Sequence, residues 1–188
     1  MLYTSLFTLF AAAVLTTSAL PKTKCGSASF GNVFQERVCP VCTEKLLRIV
    51  GSFQHSDWQG LPQTATSGPD NKKGSTRTVA LSSTINLIEE IESYKVNKKA
   101  DTTTTVFFLH NGPGTVGDNT ITYYRETFVT RPLCHGRASQ IEWGVDFCYT
   151  QGTNASVGAL FVGAHTGGLN NVTALLGVQS FDGDCRKL

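Results

Sequence analysis

At 188 residues and a formal net charge of +2, the chain is long enough for one domain with a sizeable core. It has no polybasic run, which argues against nucleic acid or an anionic membrane as partner. No internal repeat or long low-complexity segment divides it.

Residues Leu2 to Leu15 are apolar apart from a few hydroxyls, and the first charged side chain is Lys22. The apolar core from Leu6 to Leu15 is followed by the small residues Thr16-Thr17-Ser18-Ala19. This pattern predicts a signal peptide over residues 1–19, cleaved after Ala19. The run is too short to cross a bilayer of roughly 30 Å as a helix. No second apolar run of membrane length follows. The expected product is a secreted, extracellular single domain over 20–188, with no stable membrane insertion.

All six cysteines, Cys25, Cys39, Cys42, Cys134, Cys148 and Cys185, lie beyond the cleavage point. An even count in an oxidising compartment predicts three disulfides, and spacing alone leaves their pairing open. Asn154-Ala155-Ser156 and Asn171-Val172-Thr173 are glycosylation sequons, which suit the same compartment.

The elements follow in order. Phe30 to Val38 reads as a first strand. Pro40 is expected near the first turn of a helix, where its missing N–H costs nothing. Val41, Leu46, Leu47 and Val50 form the apolar face of that helix, which ends near Gly51. Asp57-Trp58 marks a second short helix or turn. Strands are predicted over Ser75–Leu81, Ile85–Lys95, Thr103–His110, Asn119–Arg131 and Ala138–Tyr149. The last alternates cleanly at Ile141, Trp143, Val145, Phe147 and Tyr149. Leu81, Ile85, Ile88 and Ile91 also fit a helical period, so that segment is ambiguous on spacing alone. Ser67 to Gly74 is the clearest loop. A final helix is predicted from Ala155 to Leu176, with Val157, Phe161, Ala164, Gly168, Val172 and Leu175 on one side. Gly177 can cap it. Its four glycines, Gly158, Gly163, Gly167 and Gly168, each weaken it by roughly 1 kcal/mol relative to Ala. It must rely on packing against the sheet.

Two motifs are set aside. Gly112-Pro113-Gly114-Thr115-Val116-Gly117 matches a dinucleotide-binding glycine pattern, but that pattern needs a helix after it. Here a strand pattern follows, so a glycine-rich turn is expected. Cys39-Pro40-Val41-Cys42 has the spacing of a redox pair, but it lacks a βαβ context. No second cysteine pair stands at metal spacing. No metal or cofactor is expected, and nothing in the sequence indicates an oligomeric state.

Read in order, the residues resemble the Bet v 1-like superfamily, also called START-like or SRPBCC, in its polyketide cyclase/dehydrase-type branch. The likeness spans Val33 to Leu176. Ile49-Val50-Gly51-Ser52-Phe53 followed by Trp58 is similar to that family's first helix and the tryptophan after it. Gly74-Ser75-Thr76-Arg77-Thr78-Val79 resembles its G-x-x-R-x-V hairpin, and Glu90-Ile91-Glu92-Ser93-Tyr94 its next strand. Ser139 to Phe147 is similar to its last strand, and Gly167 to Val172 to the glycine-leucine step of its final helix. Relatives are mostly intracellular and poor in cysteine, so the signal peptide and six cysteines depart from the pattern.

The resemblance implies an α+β helix-grip fold. About seven curved antiparallel strands would wrap a long C-terminal helix, with two short helices after strand one. Such a fold leaves a cavity open at one end. Its expected lining is Trp58, Arg77, Val79, Phe107, Tyr123, Trp143, Phe147, Phe161 and His165. Arg77 on an inward face needs an anion or a carboxylate. Glu90 or Glu92 is the expected partner, with a ligand handle as the other role. Pairing of the first and last strands would bring Cys25 to Cys148. The same frame implies Cys39–Cys134 and Cys42–Cys185, with the last two exchangeable.

Three functions fit. The first is a secreted carrier of an apolar small molecule such as a lipid, sterol or polyketide. The second is a cyclase or dehydratase, for which His165, His110, Tyr123 and Glu90 are the candidate acids and bases, His165 first. The third is an effector or allergen-like protein acting through its surface. There is no G-x-S-x-G elbow. No catalytic residue is assigned, and binding is favoured over catalysis.

Overall fold

Eight strands in one antiparallel sheet and two helices make an α+β fold in the computed structural model, which describes residues 23–188. The expected signal peptide lies outside the described residues. Strand β1 (Ser29–Cys39) is followed by helix α1 (Thr43–Val50) and a short 3₁₀ turn, Asp57–Gln59. Strands β2 (Gln63–Ser67), β3 (Thr76–Ala80), β4 (Asn86–Asn97), β5 (Thr102–Leu109), β6 (Gly114–Val116), β7 (Asn119–Leu133) and β8 (Ala138–Gln151) come next. Helix α2 (Asn154–Leu176) closes the order. The sheet runs β1-β8-β7-β5-β4-β3-β2, and β6 forms a hairpin with β7.

The first and last strands pair over their whole length, from Ser29 opposite Tyr149 to Cys39 opposite Ser139. On β8 the alternation puts Ile141, Trp143, Val145 and Phe147 inside. The ambiguous segment is a strand. Asn86–Asn97 hydrogen-bonds to β3 on one side and β5 on the other, so its backbone is satisfied by neighbours and not by its own turns.

Helix α2 starts on a capping box, Thr153 with Ser156, and ends at Gly177, whose φ is +66°. Val157, Phe161, His165, Gly168, Leu169, Val172 and Leu176 are its buried stripe. Two of its glycines have packing reasons. A Cβ on Gly168 would come 3.1 Å from the Trp143 ring and 3.4 Å from Trp58; one on Gly158 would touch Val33 at 3.5 Å. Gly163 and Gly167 meet nothing within 4 Å, so they carry only the helix-propensity cost.

Several expectations need correction. There are eight strands where about seven were expected. β2 has no apolar alternation because it is an exposed edge strand, and β6 is only three residues long. Pro40 sits in the bend before α1, and Cys42 occupies the N-cap. As expected, the segment Gly112–Gly117 is followed by a strand, leading through β6 into β7, and no helix N-terminus meets the glycines.

Cys25–Cys148 is bonded as expected, with Cα atoms 5.3 Å apart. The pairs Cys39–Cys134 and Cys42–Cys185 do not form. Cys134 bonds Cys185 instead, at a Cα separation of 5.2 Å, and Cys39 and Cys42 are free thiols. The chain beyond α2 is the reason. It hydrogen-bonds back to β1 through Phe181 N–H and Val38 O, at 3.1 Å. Arg137 then donates to the carbonyls of Cys185, at 3.1 Å, and Leu188, at 2.7 Å. Arg137 belongs to the same turn as Cys134, so the tail delivers Cys185 there.

Cys39 points into the core with no exposed surface, and burial pushes its thiol up to about 11. A protonated, enclosed thiol is inert, which argues against a redox pair. Iodoacetamide on the native, unreduced protein is therefore expected to add one carbamidomethyl group, at Cys42. After denaturation without reduction it should add a second, at Cys39. Intact mass reads both counts, and no adduct in either state would mean that the two thiols had bonded.

Candidate binding cavity

A partly enclosed cavity of about 140 Å³ lies between α2 and the inner face of the sheet. Its apolar walls come from every layer: Val79 on β3, Leu87 on β4, Leu109 on β5, Val116 on β6, Ile121 on β7, and Leu160, Phe161 and Ala164 on α2. Gln59, Leu61, Leu81 and Gly114 also line it. The polar lining residues are Arg77, Glu89, Tyr124, Glu126 and His165, with Trp143 beside them.

The polar groups form two linked sets. In the first, the Arg77 Nε donates to Glu89 Oε2 at 2.6 Å and its Nη1 donates to the Phe53 carbonyl at 3.1 Å. The guanidinium stands 4.4 Å from the Phe53 ring centroid and 4.9 Å from that of Phe107. The Tyr124 hydroxyl donates to Glu89 Oε1 at 2.7 Å. In the second, the Trp143 indole N–H donates to Glu126 Oε2. His165 stacks on Trp143 with centroids 4.0 Å apart, and its Nε2 lies 3.4 Å from the same carboxylate oxygen. Neither His165 nitrogen makes a hydrogen bond to protein.

These groups are nearly sealed, with Arg77 at 2% and His165 at 1% exposure. Burial pushes the Glu89 carboxyl above its ordinary value; the Arg77 charge opposes this and the Glu126 charge adds to it. Burial and the neighbouring Glu89 charge push the Tyr124 phenol well up, so Tyr124 is a lasting hydrogen-bond donor.

Of the expected lining, Arg77, Val79, Trp143, Phe161 and His165 meet at the cavity. Trp58, Phe107 and Phe147 are core residues behind the wall: Trp58 packs on Trp143 and Phe128, Phe107 backs Phe53 and Arg77, and Phe147 stacks on Phe161. Tyr123 is not in the lining; it stacks on Phe108 at 6.1 Å. Irregularities on β7 between Thr120 and Tyr123 shift the register, so Ile121 and Tyr124 turn inward.

Arg77 pairs with neither Glu90 nor Glu92. It stands directly opposite Glu89 across the β3–β4 ladder, on the same face. Glu90 alternates away and meets His110 Nδ1 at 2.7 Å, and neither lines the cavity. Past a bulge between Ile91 and Ser93, Glu92 pairs with Arg125 at 2.6 Å. Asn154 and Asn171 are both exposed on α2. Among the described residues there is no cluster of side chains arranged to hold a metal, and no helix is long and apolar enough to cross a membrane.

No family model and no curated protein matches the sequence. The fold is similar to solved structures of low sequence identity. The protein XoxI from Bacillus cereus aligns with a TM-score of 0.60 at 17% identity, over 77% of this chain and 94% of that one. A protein from Nitrosospira multiformis aligns with a TM-score of 0.58 at 13% identity, over 76% and 94%. An uncharacterised protein from Bacillus thuringiensis aligns with a TM-score of 0.58 at 16% identity, over 77% and 98%. At these identities the likenesses establish a shared fold and nothing about activity.

Proposed function

We propose that this chain is a secreted helix-grip protein of the Bet v 1-like kind that holds a compact apolar small molecule. The observation that carries this reading is the cavity between α2 and the sheet. It is an apolar hollow with a few converging polar groups, the usual composition of a ligand site. Two disulfides fit an oxidising compartment, and both sequon asparagines are accessible for glycosylation.

Size narrows the ligand. At about 140 Å³ the cavity falls below the roughly 300–1,000 Å³ usual for drug-sized ligands. It is close to the roughly 150 Å³ of an engineered apolar cavity that binds benzene. One ring with a short chain fits, and a sterol would have to stand out through the mouth.

Propylbenzene titrated into the protein is expected to bind with one-to-one stoichiometry by calorimetry. Ala164 is exposed and lines the cavity, so Ala164→Trp should block entry at little cost to the core. Phe161→Arg puts a charge in the wall. Each should weaken binding by about tenfold or more, equivalent to roughly 1.4 kcal/mol. A wild-type protein that binds no propylbenzene would end the carrier reading.

One observation favours a second reading, an acid–base enzyme of the cyclase or dehydratase kind. Glu89 is held towards its protonated form by burial while His165 and Glu126 line the same cavity. On that reading His165→Ala abolishes turnover of a β-hydroxy-ketone substrate while ligand affinity stays within a few-fold. Unchanged turnover would remove His165 from the chemistry.

A further inference from the structure

We infer that the ligand is an amine, bound as its ammonium ion against Glu126. This rests on the cavity reading and adds the chemistry of the ligand's polar end. The first support is charge. Two buried carboxylates, Glu89 and Glu126, line the cavity, but Arg77 is the only permanent cation among the lining residues. Arg77 is committed to Glu89 at 2.6 Å, which leaves Glu126 with the Trp143 N–H and the His165 ring, 3.4 Å away, but with no guanidinium or ammonium among the described lining residues. A buried carboxylate lacking a cation is costly, and a ligand ammonium would supply one.

The second support is the hydrogen-bond inventory. Three of the wall's donors are spent on its own carboxylates. Tyr124 and Arg77 donate to Glu89, and Trp143 donates to Glu126. What remains on the carboxylates is acceptor capacity, and both ring nitrogens of His165 stand without a protein hydrogen bond. An ammonium group carries three donors and no acceptor, which complements that remainder. Two buried donors remain, a ring N–H of His165 and Arg77 Nη2, the latter on a permanent cation. That cation makes an anionic ligand the competing outcome. The aromatic rings of Trp143, Tyr124 and Phe161 complete the wall and tolerate a cation.

Four probes of nearly equal size separate the outcomes on the wild-type protein: propylbenzene, 2-phenylethanol, 2-phenylethylamine and phenylacetate. Calorimetry is expected to rank 2-phenylethylamine first, by about tenfold or more over propylbenzene, the value of one hydrogen bond to a charged group. Glu126→Gln should reduce that ratio to within about twofold. Equal binding of the amine and propylbenzene would overturn the amine inference and leave the carrier reading standing. Tightest binding of phenylacetate would overturn it in favour of Arg77 as the polar handle. No binding by any of the four would overturn both. The wild-type ranking decides the matter even if Glu126→Gln fails to fold.

Discussion

Replacing Arg77 by Met is expected to destabilise the protein by about 3–5 kcal/mol at neutral pH, the usual loss when one partner of a buried ion pair is removed. Arg77 is 2% exposed and Glu89 5%. Without the guanidinium, Glu89 keeps only the Tyr124 hydroxyl as partner, and the Phe53 carbonyl loses its donor. The ring faces of Phe53 and Phe107 lose their cation as well. The loss should depend on pH, and its sign follows from Glu89. That carboxyl is raised in the folded protein, by burial first and despite Arg77. A raised group contributes stability that is full below its unfolded value, near 4.5, and lost as pH rises through the folded value. Removing Arg77 removes the main opposing influence and raises Glu89 further. The penalty of Arg77→Met should therefore be greatest at neutral pH and shrink as pH falls towards 4.5. Urea denaturation at several pH values measures it. The double variant Arg77→Met with Glu89→Gln removes the buried charge while still accepting from Tyr124, and should recover much of the loss. A single-variant cost below about 1 kcal/mol, or one independent of pH, would contradict a charge-pair role.

The same pair marks where sequence reading stops. The long strands are legible because alternation is unbroken on β8 and because Gly and Pro punctuate the chain between elements. The final helix is legible from its apolar period, even with four glycines in it. Two of those glycines become intelligible only once Trp58, Trp143 and Val33 are seen against the helix. The polar wall is not legible. Its members Glu89, Tyr124 and Glu126 go unmarked, while the neighbours Glu90 and Tyr123 attract attention. Inward and outward residues differ by one position on a strand: regular register on β4 turns Glu89 in and Glu90 out, and on β7 the irregularity before Tyr123 sets which tyrosine faces in. The usable signal is register. Once β3 is aligned with β4 as a hairpin, Arg77 falls opposite Glu89, whose other carboxylate oxygen accepts from Tyr124. The cysteines tell a similar story. Cys25–Cys148 depends on regular strand pairing, which is predictable. Cys134–Cys185 depends on an irregular tail steered by Arg137, which no periodicity announces.

Removal of the Cys25–Cys148 bridge, as Cys25→Ser with Cys148→Ser, is expected to cost about 3–5 kcal/mol and to lower Tm by roughly 5–15 °C. The bond joins residues 123 apart in sequence. In the entropic model a loop of that length restricts the unfolded chain by about 5 kcal/mol, and a separation of 51, that of Cys134–Cys185, by about 4. Loop entropy alone thus predicts a difference of only about 1 kcal/mol between the two bridges. Native packing should widen it. The Cys25 bridge anchors the start of β1, an edge strand with a neighbour on one side only. Gly31 lies two positions along that strand from Ser29, and a Cβ there would fall 2.4 Å from the Phe147 ring. This close approach holds β1 over Phe147, which in turn stacks on Phe161 of the cavity wall at 5.1 Å. Fraying of β1 would therefore loosen the cavity too. The Cys134 bridge ties down a half-buried residue on the tail after α2, with no comparable contact to the cavity. Differential scanning calorimetry of both double-serine variants compares them, and propylbenzene titration tests the link to the cavity. The Cys25/Cys148 variant should show the larger Tm loss and the weaker binding. A larger loss for Cys134/Cys185, or a Cys25/Cys148 variant within about 2 °C of wild type, would refute the role assigned to β1.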